Sequence, residues 1–141
     1  MPVPDPDSSI VNVSRFLPEA AARVPEHPAV RVPRGRGSEG AIRYDTLAFR
    51  ELNRWSDACA HYLASRGIGR GSRCLLLVRP GLELILICFA LFKAGAVPVV
   101  IDPGMGLKAF LAGVRRTRPD ALIAIPATVR RASIGASAGT P

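Results

Sequence analysis

The stretch Phe89-Ala-Leu-Phe-Lys-Ala-Gly-Ala-Val-Pro-Val-Val-Ile-Asp-Pro-Gly104 decides how this chain folds. Its first part is the end of an apolar helix, Gly95 is the stop, and Ala96–Ile101 is a short apolar strand broken by Pro98. A glycine just past a helix accepts the left-handed backbone that closes the last turn. The valine-rich run behind it has no polar alternation, which fits a strand buried on both faces, as in a parallel sheet.

Working outward, the same grammar repeats. Cys74–Val78 is another continuous apolar run, and Pro80-Gly81 opens the apolar helix Leu82–Ala94. Downstream, Leu107–Thr117 reads as an amphipathic helix and Ala121–Ile125 as a third strand. Strand, helix, strand, helix, strand with short loops is the unit of a parallel α/β sheet. Upstream, Val13, Phe16, Leu17, Ala20 and Val24 have helical spacing, and Pro25 ends that helix. Ala29–Val32 and the pair Ile42 and Tyr44 are strand candidates joined by the polar turn Pro33–Gly40, which predicts a hairpin. Asp45 is placed to cap a long helix with Leu52, Trp55, Cys59, Tyr62 and Leu63 on its buried face. Gly67 supplies its left-handed C-terminal cap, and Gly69 and Gly71 the turn beyond.

The fold class is therefore α/β, a partial parallel, Rossmann-like sheet over residues 12–126. Residues 1–11 are expected to be a flexible leader and 127–141 a disordered tail, since the latter has little periodicity and many small residues. Helix Leu82–Ala94 is apolar almost all round. If left uncovered it would expose a large apolar patch, so self-association through residues 82–94 is expected.

Composition narrows the class of function. A hydrophobic fraction of 48% with 21% charged residues describes a globular chain. The net charge of +8 is carried almost wholly by arginines spread from Arg15 to Arg131, with no block of like charge. Few aromatic residues stand near them to stack on bases, so no nucleic-acid partner is expected. Cys59, Cys74 and Cys88 cannot all pair and include no C-x-x-C spacing, which fits a reduced cytoplasmic protein. The acidic, proline-rich start Met1-Pro-Val-Pro-Asp-Pro-Asp has no basic or apolar signal region. Asn12-Val-Ser14 matches a glycosylation sequon without that secretory context. The span Leu82–Ile101 is long enough for a membrane, but Glu83, Lys93, Gly95 and Pro98 interrupt it, and no transmembrane span is expected.

Two motif matches need their context. Gly135-Ala-Ser-Ala-Gly139 has the letters of a nucleophile elbow, but Ala138–Pro141 contains none of the acid or histidine partners that should follow. Gly104-Met-Gly-Leu-Lys-Ala109 has the letters of a dinucleotide fingerprint between a strand and a helix, where bare N–H groups would hold a pyrophosphate. Against that, Asp102 places a carboxylate in the turn, and Pro126 stands where a ribose-binding acid belongs. A tight strand–helix turn capped by Asp102 is the preferred reading. His27 and His61 form no ligand cluster with Cys59. No residue is assigned a catalytic, cofactor-binding or metal-binding role.

Ile42-Arg-Tyr-Asp-Thr-Leu47, Gly67-Ile-Gly-Arg-Gly-Ser-Arg-Cys74 and Phe92-Lys-Ala-Gly-Ala-Val-Pro98 stand in this order and spacing. Together they resemble the N-terminal region of the acyl-adenylate-forming ligases, the AMP-dependent synthetases that include acyl-CoA synthetases and peptide-synthetase adenylation domains. Leu77-Val-Arg-Pro80, Ile101-Asp-Pro-Gly-Met-Gly106 and Ile123-Ala-Ile-Pro126 are most similar to the olefin-biosynthesis, β-lactone synthetase branch. The resemblance implies a parent that activates a fatty or β-hydroxy fatty acid with ATP and Mg²⁺ to an acyl-adenylate. It also implies that the phosphate loop, the Thr-Glu pair, the ribose-binding Asp and the C-terminal lysine lie outside this sequence. The chain alone is then expected to be inactive and to take no cofactor. The alternatives are a non-enzymatic interaction module reusing the half-sheet, or a nucleotide-binding Rossmann-like protein.

Overall fold

The computed structural model describes residues 12–125. After a 3₁₀ turn at Val13–Arg15 come α1 (Phe16–Arg23), β1 (Pro28–Arg36), β2 (Ile42–Ala48) and α2 (Phe49–Ser65). There follow β3 (Arg73–Leu77), α3 (Leu82–Ala94), β4 (Val97–Val100), α4 (Leu107–Thr117) and β5 (Ala121–Ala124). The strands make an antiparallel β1–β2 ribbon and a separate parallel sheet in the order β4-β3-β5.

The hairpin is longer than its sequence signal. β1 runs on through Pro33 to Arg36, and the chain reverses where Gly37 N–H donates to the Ala41 carbonyl at 2.8 Å. Register shifts at Pro28/Val30 and Pro33/Gly35 let the ribbon absorb Pro33, which cannot donate to a ladder. β2 then continues to Ala48, so Asp45 does not cap α2. Its carboxylate instead accepts from Arg34 Nη1 at 3.1 Å across the ribbon. The start of α2 is held by Glu51, whose Oε2 accepts from Ala48 N–H at 3.0 Å.

The core is two adjoining clusters. The hairpin's Leu47 packs with Leu17, Leu52 and Leu82, with Val30, Val32, Phe49, Trp55, Leu86 and Phe89 against them. On the other side, Leu63 of α2 and Ile87, Ala90 and Leu91 of α3 pack on Cys74 and Leu76 of β3. Helix α2 buries Leu52, Ser56 and Leu63; Trp55 and Cys59 are half-buried. Tyr62, expected on that face, is 62% exposed, because the face of α2 drifts past it toward Leu63. In α1 only Leu17 is buried, while Val13, Phe16 and Val24 are exposed.

The expected bare α3 is not found. α2, the sheet and the hairpin surround it, and Ile85, at 36%, is its one exposed large apolar residue among those described. The long sequence separation of α2 and the hairpin from α3 hides this cover from any local reading. The exposed apolar side chains sit elsewhere, notably Leu107, Leu111 and Leu122.

The crossovers β3–α3–β4 and β4–α4–β5 run in opposite directions across the sheet, so right-handed connections put α3 and α4 on opposite faces. Side-chain alternation agrees. Cys74, Leu76, Ala121 and Ile123 join the α2/α3 cluster, whereas Leu75 is paired in register with Val99-bearing β4 and with Leu122 on the other face. Phe110, Gly113, Val114 and Thr117 form the half-buried stripe of α4. Gly113 is needed there, since a Cβ would stand 3.2 Å from Ile101 Cδ1.

Candidate functional site

In an open parallel sheet, ligands gather at the C-terminal strand ends where neighbouring connections leave on opposite faces. Here that point lies between β3, which leads to α3, and β4, which leads to α4. The turn singled out in the sequence, Gly104–Ala109, stands at this rim, as do Arg79 and Gly81 before α3.

The rim is poorly built for phosphate. Asp102 caps the 3₁₀ turn Pro103–Met105, its Oδ1 accepting from Gly104 N–H at 2.8 Å. The donor that would meet a pyrophosphate is thus already bonded to a carboxylate. Gly106 turns into α4 with φ +88°, so its backbone conformation, not an approaching ligand, accounts for the glycine. At the other helix start, Glu83 lies in the first turn of α3, and its Oε2 would stand 3.1 Å from a Cβ on Gly81. Glu83 thus stands in the first turn of α3 and Asp102 at the start of the 3₁₀ turn before α4, where each disfavours an anion. Among the described residues no three His, Cys, Asp or Glu side chains are grouped to hold a metal ion.

The segments that carry the family resemblance have structural work. Only 11% of the Lys93 side chain is exposed. Its Nζ donates to Asn53 O at 3.0 Å, Asn53 Oδ1 at 2.8 Å and Asp57 Oδ1 at 2.7 Å. All three ammonium protons are used, tying the end of α3 to α2. Gly95 follows with φ +74°, and a Cβ there would stand 3.3 Å from Arg70 Cα. Gly71 N–H then donates to the Gly95 carbonyl at 2.9 Å, and Ala96 N–H to Leu91 O at 2.8 Å. Gly67, with φ +80°, closes α2, with Ile68 N–H donating to Leu63 O at 3.0 Å. Asn53 and Asp57 were not singled out by sequence. Their signal is the i, i+4 spacing of two polar groups on one side of α2.

The remaining candidates stay apart. His61 and His27 are exposed and share no polar partner. Cys59, Cys74 and Cys88 are free thiols; burial raises the pKa of each, helped for Cys74 by the Asp120 carboxylate. Such thiols are poor nucleophiles. Asp120 itself accepts from Arg73 N–H at 2.8 Å, pinning the α4–β5 turn to β3. Gly135–Gly139 and Pro126 lie outside the described residues. No described helix is long and apolar enough to cross a membrane.

A further concavity is an apolar groove of about 310 Å³ between Leu47, Trp55, Leu82, Leu86, Ile87 and Ile125, with Glu83 on its wall.

Comparison with known proteins gives this geometry its context. The family model for the AMP-binding enzyme matches residues 17–139. Over 120 residues the chain is 46% identical to the olefin β-lactone synthetase of Xanthomonas campestris pv. campestris, covering 84% of this chain and 22% of that protein. The enzyme of the same description from Stenotrophomonas maltophilia is 46% identical over 117 residues, 82% of this chain and 21% of its own. Among solved structures, the fatty acid AMP ligase of Legionella pneumophila superposes with a TM-score of 0.68 at 22% identity, over 83% of this chain and 20% of that one. The N-terminal subdomain of Klebsiella oxytoca NpsA bound to 3-hydroxybenzoyl-AMSN gives 0.66 at 20% identity, over 79% and 26%. These structures share the fold. The chain spans about a fifth of the length of the olefin β-lactone synthetases it matches. By the extent of the family match and of these identities, the chain belongs to the AMP-binding enzyme family.

Proposed function

We propose that this chain supplies the N-terminal scaffold of an ATP-dependent acid ligase that activates a fatty or β-hydroxy fatty acid as its adenylate. The observation that carries this reading is the 46% identity to olefin β-lactone synthetases over most of the chain. The segments responsible for that likeness bind one another rather than a ligand: Lys93 to α2, and Gly95 to the β3 approach. ATP and Mg²⁺ are assigned to the remainder of such an enzyme; Glu83 at the start of α3 and Asp102 in the turn before α4 support that reading. By itself the chain is proposed to be inactive. Three free thiols fit a reducing compartment, and we place the protein in the cytoplasm.

The test is a chimera in which this chain replaces the matching portion of an olefin β-lactone synthetase. ATP-dependent pyrophosphate release with a 3-hydroxy fatty acid should be retained within about ten-fold, as expected when non-contacting scaffold is exchanged. A soluble, folded chimera with no release would contradict the assignment.

A further inference from the structure

We propose that the outer edge of β5 is a self-association surface, on which β5 of a second copy of this chain pairs antiparallel about a two-fold axis at Leu122. The parallel sheet ends on β4 and β5, so each has one edge with no strand beside it among the described residues. The two edges are not equivalent. Val97 N–H donates to Ser72 O at 2.7 Å. Backbone groups alternate along a strand, so those of Val97 and Val99 face β3 and those of Pro98 and Val100 face outward. Pro98 has no N–H to offer there, which blunts the β4 edge against further pairing. On β5, Asp120 N–H donates to Arg73 O at 2.7 Å. The same alternation turns Leu122 and Ala124 to β3 and leaves the N–H and C=O of Ala121 and Ile123 facing outward. The strand Ala121-Leu-Ile-Ala124 has neither a proline nor a charge to protect that edge.

The free groups of this edge are complementary to themselves, which is why the partner is a second copy. In an antiparallel pair, residues whose backbone groups face across the gap exchange both hydrogen bonds. With Leu122 opposite its own counterpart, Ala121 of each copy meets Ile123 of the other, and both ends of the contact are hydrogen-bonded. Leu122 then falls in the non-hydrogen-bonded position, where opposed side chains stand closest. Its side chain is 60% exposed, so this pairing takes apolar surface out of water. Leu107 and Leu111 are also exposed, on the helix α4 that covers the same face of the sheet. A two-fold axis through the sheet brings these leucines of both copies to one side, and β5 sets no charge against its like. Such a contact is isologous and closes at two chains. The self-association expected of α3, which is covered, therefore moves to β5.

Sedimentation equilibrium of the 141-residue chain tests the pairing. Between about 1 μM and about 1 mM, the range in which small interfaces dissociate, the wild-type mass should rise from 15.0 kDa toward twice that value. Leu122→Lys changes an exposed side chain and sets like charges opposite each other at the axis. It should stay at 15.0 kDa, as should Leu122→Glu, while an equimolar mixture of the two should associate again. A wild-type chain that stays at 15.0 kDa throughout overturns the proposal. A dimer that survives Leu122→Lys also overturns it, because the contact then lies elsewhere on the chain. A mixture that fails to associate overturns the pairing centred on Leu122. Hydrogen exchange of the wild-type chain needs no variant. The Ala121 and Ile123 amides should exchange about ten-fold more slowly at the high concentration than at the low one. Equal rates at both concentrations overturn the proposal whether or not any variant folds.

Discussion

Replacing Lys93 tests whether the Lys-Ala-Gly-Ala segment is there for structure or for chemistry. Its ammonium makes three hydrogen bonds at 2.7 to 3.0 Å with only 11% of the side chain exposed. Hydrogen bonds to a charged group contribute roughly 1.5–3 kcal/mol each when buried. Three such bonds do not simply add here. Asp57 is 52% exposed, so water replaces much of what it loses, and its share drops toward the exposed-pair range below about 1 kcal/mol. The Asn53 carbonyl is not orphaned either, because it also accepts from Ser56 Oγ at 3.0 Å. Asn53 Oδ1 is left as the main loss. Lys93→Met keeps the aliphatic stem and should cost about 2 kcal/mol. Lys93→Ala also removes three methylenes at about 0.8 kcal/mol each, for a total of about 4 kcal/mol. Asp57→Asn should cost no more than about 1 kcal/mol. Urea unfolding of the 141-residue chain, followed by circular dichroism, measures all three. A Lys93→Met midpoint within error of wild type would refute the clamp. In a full-length relative the equivalent change should lower Tm and leave turnover per folded molecule unaltered. A stable variant that loses turnover would return this lysine to the chemistry.

Other consequences follow from the same geometry. Gly95→Ala should destabilise by about 2 kcal/mol, from left-handed strain of roughly 1–2 kcal/mol plus the 3.3 Å approach to Arg70 Cα. Gly67→Ala, with equal strain and nothing within 4 Å, should cost less; equal losses in thermal melts would count against the close approach. Cys59, Cys74 and Cys88 have pKa values raised by burial above the ordinary 9.0. Their contribution to stability is complete below pH 9 and is lost as pH rises, because the unfolded thiols ionise first. Tm should therefore fall above pH 9, and Cys59→Ala with Cys88→Ala should make that fall shallower; an unchanged slope would contradict it.

How much of this was legible depended on whether the cause was local. The bounds of α3 and α4 match the sequence expectation residue for residue; left-handed or positive-φ backbone at Gly95 ends α3 and at Gly106 starts α4, while Arg118 closes α4. Of the run Cys74–Val78, read as a strand buried on both faces, Cys74, Leu75 and Leu76 are buried while Leu77 is exposed. Asp45 misled because its cap-like position is overridden by a ribbon partner, Arg34, eleven residues earlier. The cover over α3 was invisible because α2 and the hairpin supply it from far upstream. At the candidate site, Asp102 was correctly read as filling its turn, a contact two residues long. The Lys93 clamp was missed because its partners Asn53 and Asp57 are 40 and 36 residues away. A lysine at the end of an apolar helix, read against a helix with two polar groups at i, i+4, is the pattern that would have found it.

The central proposal is that this chain holds the scaffold of an AMP-binding enzyme and does not by itself supply the nucleotide site. Its most direct test is pyrophosphate release by the purified 141-residue chain with ATP, Mg²⁺ and a long-chain 3-hydroxy acid. The expected result is no release above the enzyme-free rate, with circular dichroism showing a folded chain. Pyrophosphate formed in proportion to protein, and lost in a Gly104→Pro or Asp102→Ala variant, would contradict it.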